Sequence, residues 1–444
     1  MKQLYRFGLG SLLVLVGSAQ QFFVNDFLLT AVLATALLGL LFRLFSDKRS
    51  RIASLVLTAL SWLGVLVNSW TATSLAGLGL VAWGLILLSR SAIALGREKA
   101  ALWKQVLAYA WLLVNLLPAG VTGLMTLAPT ATLGVIGDKL MPAQVATDVQ
   151  QSQGTAPDGS GLVSNIQYDD QVENGYLDIY YSQKAESDKP LTMVFIHGGG
   201  YMWGDKVGGD PNAGQNLFAN TLVGQMLNEG YNVVSMNYAL VPEAPFPIAI
   251  KQLNRGLAYL KTHAEELGLN MNQVVLSGGS AGGNLAGVLA NLQTNPAYAK
   301  EFGEAPSLAA TDLTAVVFQS SLLDNARFGQ TQSAVVDWMY YSMGRLYLKA
   351  NDLHRAPTLA LSNVTDNVTE NFPPTFISDG NSGSFSDQAF DLADKLAELG
   401  VKHQLVFFSK EEAGILQHGF EEHGNAYSEK TLEQTKAFLR SLDN

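Results

Sequence analysis

The sequence predicts an α/β fold with a mostly parallel, doubly wound sheet, preceded by an all-α transmembrane region. Three observations carry this. Near-uncharged apolar stretches crowd the first 128 residues, strand and helix patterns alternate from residue 162 onward, and a Gly/Ser turn at 277–283 joins a strand to a helix. The implied organisation is a membrane region over 1–128, a linker over 129–161 and an α/β domain over 162–444.

Over the 444 residues only 15% are charged, and the charge is divided unevenly. Ten Lys/Arg stand against three Asp/Glu before Asp138, and 18 against 35 from there on. The two parts therefore carry +7 and −17, and neither offers a basic groove for nucleic acid. Apolar stretches run from about Phe7 to Val24, Phe27 to Phe45, Ile52 to Ser69, Thr71 to Leu88 and Val106 to Leu127. Each approaches the roughly 20 residues that span a bilayer, which predicts about five transmembrane helices. The first stretch is diluted by Gly8, Gly10, Gly17, Gln20 and Gln21, and its basic start with Gly17-Ser18-Ala19 also fits a signal peptide. Soluble buried helices are disfavoured because these segments have no polar face to give to water.

Lys and Arg cluster before the first stretch, around the second-to-third connection and in the fourth-to-fifth connection, and are absent from the alternate connections. Cytoplasmic loops carry the excess of basic residues, so the N-terminus is expected in the cytoplasm and everything beyond residue 130 outside. Cleavage of the first stretch leaves that orientation unchanged. No intramembrane acid or base marks a transport path, so the bilayer is read as an anchoring partner. With no cysteine, disulfides, thiolate metal sites and cysteine nucleophiles are excluded.

Residues 129–161 are rich in Ala, Thr, Gln, Gly and Ser without sustained periodicity, which reads as a linker. Strands are then expected at 162–168 and 176–181, forming the antiparallel start of the sheet. Strand 191–196, helix 211–228, strand 231–238, helix 247–266 and strand 273–276 follow in βαβ order. A helix begins at Ala281, and strand 313–319, strand 375–379, helix 386–399, strand 404–408 and helix 428–442 complete the pattern. The interval 323–371 is irregular. Its Trp338, Met339, Tyr340, Tyr341 and Tyr347 could line a pocket or form a satellite core.

The turn Ser277-Gly278-Gly279-Ser280-Ala281-Gly282-Gly283 contains G-x-S-x-G, which pushes the Ser280 hydroxyl out at a strand end beside a helix N-terminus. Alone the motif is weak, since a Gly/Ser turn before a helix is often only a capped loop. Upstream, His197-Gly198-Gly199-Gly200 ends another apolar strand, and its glycines allow the backbone N–H groups to approach a developing oxyanion. Downstream, His418-Gly419-Phe420 supplies a histidine after the serine. Asn237-Tyr238-Ala239-Leu240-Val241-Pro242-Glu243-Ala244-Pro245-Phe246-Pro247 is a fourth match in order. With these motifs, residues from about 190 to 442 resemble an α/β-hydrolase of the hormone-sensitive-lipase-like serine esterase group.

The resemblance implies Ser280 as nucleophile, His418 as general base, and the amides of Gly199, Gly200 and Ala281 as oxyanion donors, with no cofactor or metal. His197 is expected to shape the oxyanion loop; His423 is a rival base that lacks the following Gly-Phe. The triad acid departs from the pattern. Aligning Pro373-Pro374-Thr375 with the related P-P-T run puts Gly383 where those esterases carry aspartate. Asp387 reaching in from a helix start is the favoured substitute, Asp379 at the strand end is the alternative, and the acid is otherwise absent. An enzyme acting on small or envelope-associated esters is expected; a low-turnover sensor or binding module lacking a functional acid is the alternative. The −17 charge disfavours polyanionic substrates.

Overall fold

The computed structural model describes residues 2–19, 70–140, 150–156, 158–185, 190–207, 221–331 and 333–442. The second and third apolar stretches, and residues 211–220 of the expected helix 211–228, lie outside them. The chain divides into two compact units, 1–136 and 137–444.

In the first unit the described helices are α1 (Lys2–Ala19), α2 (Trp70–Arg97) and α3 (Leu102–Leu127). The spans Gly77–Arg97 and Leu102–Leu127 are long and apolar enough to cross a membrane, with mean hydropathies of 1.9 and 1.6. The apolar part of α1, Arg6–Ala19, is shorter. Two of the glycines that dilute the first apolar stretch, Gly10 and Gly17, have a packing role. A Cβ at Gly17 would stand 2.4 Å from the Gly77 carbonyl oxygen, and one at Gly84 would stand 2.6 Å from that of Gly10. Seven-residue spacing on both helices thus makes an antiparallel seam where backbones touch, as small residues permit between apolar helices. Leu9, Leu13, Leu80 and Leu87 close one side of the seam. Trp111 donates to Ser11 Oγ (2.7 Å) and Thr122 to Ser18 Oγ (2.7 Å), so α3 runs parallel to α1.

The stretch expected to be a linker contains a helix and a strand. Pro129–Leu140 forms helix α4, with proline at the first position, where its missing N–H costs nothing. Ser152–Thr155 forms strand β1, fully exposed and paired antiparallel with β2 (Gly161–Gln167). An exposed edge strand held by backbone bonds carries no apolar alternation, which is why the sequence hides it.

The second unit is built on a nine-stranded sheet, ordered β1-β2-β3-β5-β4-β6-β7-β8-β9. Its remaining strands are β3 (Tyr176–Tyr181), β4 (Leu191–Ile196), β5 (Asn232–Met236), β6 (Asn270–Gly279), β7 (Leu313–Gln319), β8 (Thr375–Asp379) and β9 (His403–Phe407). The first three pairings are antiparallel and the other five parallel. Helices α5 (Leu222–Asn228), α6 (Ile248–Thr262), α7 (Ala281–Thr294), α8 (Pro296–Phe302), α9 (Ala334–Tyr347), α10 (Ser386–Glu398) and α11 (Ala426–Arg440) accompany it. Helix α9 falls in the interval read as irregular. One face of the sheet packs Met193, Val233, Val275, Val317 and Phe376 against α5 and α11. The register pairs Ile196 with Gly278, Gly278 with Phe318 and Phe318 with Ile377. The carboxyl ends of β4, β6, β7 and β8 therefore lie in one row, the edge where open α/β sheets bind ligands.

Candidate active site

Ser280 sits between β6 and α7 at φ 55° and ψ −122°, a conformation that L-residues rarely adopt. The surroundings hold it there. Its amide donates to the Gln319 carbonyl (3.0 Å), and a Cβ at Gly282 would meet the Ile196 carbonyl oxygen at 2.1 Å. Glycine at 282 lets the start of α7 lie against the end of β4, which brings the serine beside the three-glycine loop.

That loop follows β4, with Gly199 at φ 98° and Gly200 at φ 61°. Among the described residues the Gly199 and Gly200 amides make no main-chain hydrogen bond, and Ala281, as the first residue of α7, has an amide with no intrahelical acceptor. Tyr238 holds the loop by donating to the carbonyls of His197 (3.0 Å) and Gly198 (3.2 Å) and stacking on the His197 ring at 4.3 Å. This gives the segment 237–247 a physical role. His197 bonds through Nδ1 to the Gly198 carbonyl (2.8 Å), and burial lowers its pKa to about 4. It is a neutral shape-holder with no bond to Ser280.

His418 comes from the loop between β9 and α11. Its Nε2 lies 2.9 Å from Ser280 Oγ. The rings of Tyr340 and Phe385 stand edge-on to the imidazole, at 5.6 and 5.3 Å, and burial lowers its pKa to about 4. His423 lines the same cavity without a bond to the serine. The loop is tied from below: the Gly419 amide donates to Ser320 Oγ (3.0 Å), and Ser320 (2.8 Å) and Ser378 (2.7 Å) donate to the two oxygens of Glu421. Burial raises the Glu421 pKa, with both serine hydroxyls opposing it.

Asp387, the favoured candidate for the acid, does not meet His418. The Asp387 side chain is 55% exposed and pairs with Arg327, away from the histidine. The first turn of α10 directs it outward, with Gln388 and Ala389 taking the buried positions. At His418 Nδ1 the structure puts Ser384 Oγ, 2.8 Å away. Ser384 in turn donates to Asp379 Oδ1. Asp379 ends β8 and is 1% exposed; burial raises its pKa well above the usual carboxylate range, the Ser384 bond opposes this and Glu421 adds to it. Gly383 has φ 63° and open space where a Cβ would be.

A cavity of about 330 Å³ opens on Ser280 and His418, lined also by Gly199, Gly200, Trp203 and Met343. Of the aromatic and Met residues singled out in 323–371, Met339 and Tyr340 reach it. Trp338, Tyr341 and Tyr347 are core, Tyr347 stacking on Tyr201 at 3.5 Å. Sequence reasoning missed Ser384 and Glu421, which sit in Ser/Gly-rich and Glu-rich turns with no periodicity to single them out.

Comparison with solved structures agrees with this fold. Esterase B from Lactobacillus rhamnosis superposes with a TM-score of 0.53 at 20% identity, covering 72% of this chain and 93% of that one. The fold is that of an α/β-hydrolase. The BD-FAE family model matches residues 177–396, from β3 through most of α10. Lipase 2 of Moraxella sp. (strain TA144) is 32% identical over 167 residues, 37% of this chain and 36% of that protein. Esterase LipI of Mycobacterium tuberculosis is 25% identical over 244 residues, 53% and 67% of the two chains. The chain thus spans between about a third and two thirds of the length of the curated relatives it matches.

Proposed function

We infer that the protein is a serine carboxylic ester hydrolase anchored in a membrane by its N-terminal helices. The observation that carries the chemistry is the 2.9 Å contact between Ser280 Oγ and His418 Nε2, in a cavity lined also by Gly199 and Gly200, with Ala281 next to the serine at the start of α7. Ser280 Oγ attacks the ester carbonyl, His418 Nε2 takes its proton, and the three amides stabilise the oxyanion. Collapse expels the alcohol, which leaves with that proton. Water, deprotonated by His418, then releases the acid from Ser280. The names of Lipase 2 and Esterase LipI favour this reaction class.

The cavity, at the small end of the roughly 300–1,000 Å³ range of ligand sites, favours short acyl groups. Hydrolysis of p-nitrophenyl acetate, butyrate, octanoate and laurate by the full chain in detergent tests this, with the short esters expected to turn over fastest. Absence of turnover on all four would reject the enzyme reading in favour of a binding module. An observation on that side is that, among the described residues, His418 is hydrogen-bonded to Ser280 and Ser384 and to no carboxylate.

The location is extracytoplasmic in this reading, with the N-terminus inside. It rests on the one-sided placement of the ten early Lys/Arg, and α1 parallel to α3 but antiparallel to α2 suits an odd number of spans. Protease added to intact cells should release a C-terminal fragment; cleavage only in opened cells would reverse the orientation.

A further inference from the structure

We propose that Ser384 is a positioning residue that transmits the effect of Asp379 to His418, so that a serine-bridged acid replaces the direct carboxylate–histidine contact. This rests on the esterase reading above.

The hydrogen-bond directions allow one consistent chain. For Ser280 to give up its proton, His418 Nε2 must present a lone pair, and a neutral imidazole then carries its hydrogen on Nδ1. That N–H donates to Ser384 Oγ at 2.8 Å. Ser384 has a single hydrogen, and it goes to Asp379 Oδ1. With Asp379 ionised, reversing the first bond would require Ser384 to donate twice. The chain thus fixes the tautomer that makes Nε2 the base, which is the work a triad acid does. When the Ser280 proton reaches His418, the positive charge strengthens both links, and no proton need pass beyond the imidazole.

A separate observation makes a purely structural role for Asp379 costly. Its side chain is 1% exposed, and the Ser384 hydroxyl and the Gly380 and Phe385 amides oppose the rise in pKa that burial causes. Burying a carboxyl is expensive even when it is hydrogen-bonded, and here one of its bonds leads through Ser384 to His418. Asp379 makes no bond to His418 itself; Ser384, 7% exposed, fills the gap between them. The turn at Gly383 supplies this arrangement: where a carboxylate was expected the chain has a left-handed glycine, and the next residue lies against the imidazole.

The test uses the full chain in detergent, with Ser384→Ala, Ser384→Thr, Asp379→Asn and the double variant Ser384→Ala/Asp379→Asn. Ser384→Ala should lower kcat about 10²–10³-fold with little change in KM, less than the about 10⁴-fold that loss of a directly bound acid costs. Ser384→Thr keeps the hydroxyl and should restore most of the loss. The double variant should be no slower than the slower single one, because both substitutions break one chain. In ¹⁵N-histidine spectra, His418 should hold its hydrogen on Nδ1 in the wild type and lose that preference in Ser384→Ala. Retention of kcat within about threefold in Ser384→Ala, or multiplication of the single losses in the double variant, would overturn the proposal. If the wild type hydrolyses no ester, the esterase reading fails by itself, and the His418 tautomer still decides the bridge. Should Ser384→Ala not fold, Asp379→Asn carries the tautomer measurement, and an unchanged tautomer there counts against the proposal.

Discussion

The Asp387 carboxylate accepts a 2.9 Å hydrogen bond from Arg327, and the same guanidinium reaches Asp324 (2.9 Å) and Asp391 (2.7 Å). Three carboxylates share one cation at the surface, none of them bonded to His418. Asp387→Asn should therefore leave kcat within about twofold and shift stability by less than about 1 kcal/mol, as for other exposed pairs. Steady-state kinetics on a butyrate ester and a urea melt check both, and a hundredfold fall in kcat would return Asp387 to the site.

The Ser280 backbone, at φ 55° and ψ −122°, is held by its bond to Gln319 and by the contacts of Gly282. Positive φ on a residue with a Cβ costs on the order of 1–3 kcal/mol, a cost glycine does not bear. Ser280→Gly should abolish fluorophosphonate labelling while raising the thermal midpoint above that of Ser280→Ala. Equal midpoints would mean that the elbow stores no strain.

His418 must be neutral to act as base, and burial between Tyr340 and Phe385 lowers its pKa to about 4 from the ordinary value of about 6.5. The acid limb of kcat/KM should accordingly fall well below pH 6, leaving activity at pH 5 close to that at pH 7. The sign for stability is the same. The contribution of the neutral imidazole is present above about 6.5 and is lost as the pH falls toward about 4. A limb that falls between pH 6 and 7 would place the ring in contact with water.

What could be read from the sequence follows from where its signals are local. Ser280 and His197–Gly200 stand in short turns after apolar strands and His418 in the longer loop after the last strand, so their place along one sheet edge follows from the order of the elements. Ser384 and Asp379 were not separable in this way. Whether a carboxylate after β8 meets the histidine directly or through a serine depends on one left-handed turn at Gly383 and on a loop 34 residues further on. Asp387 drew attention as an acid at a helix start, but the inward face of α10 is set by Gln388, Leu392 and Leu396 and leaves it outside. Strand β1 was hidden because an exposed edge needs no apolar residues.

The same limit applied to Gly10 and Gly17, which in sequence only weaken an apolar stretch. In the folded unit they face Gly77 and Gly84 of α2 so closely that no side chain fits: a Cβ at Gly84 would lie 2.6 Å from the Gly10 oxygen and 2.9 Å from Val14. Backbone atoms cannot yield as a flexible side chain would, so Gly84→Leu must separate α1 from α2. Gly120 and Gly123 on α3 have nothing within 4 Å of a built Cβ and provide the control. Gly84→Leu should lower the thermal midpoint of the full chain in detergent, whereas Gly120→Leu, which exchanges a poor helix former for a good one, should leave it unchanged or raise it. Alanine brings only a methyl-sized clash, so Gly84→Ala should fall between Gly84→Leu and wild type. If Gly84→Leu and Gly120→Leu behave alike, the α1–α2 seam does not hold the unit together.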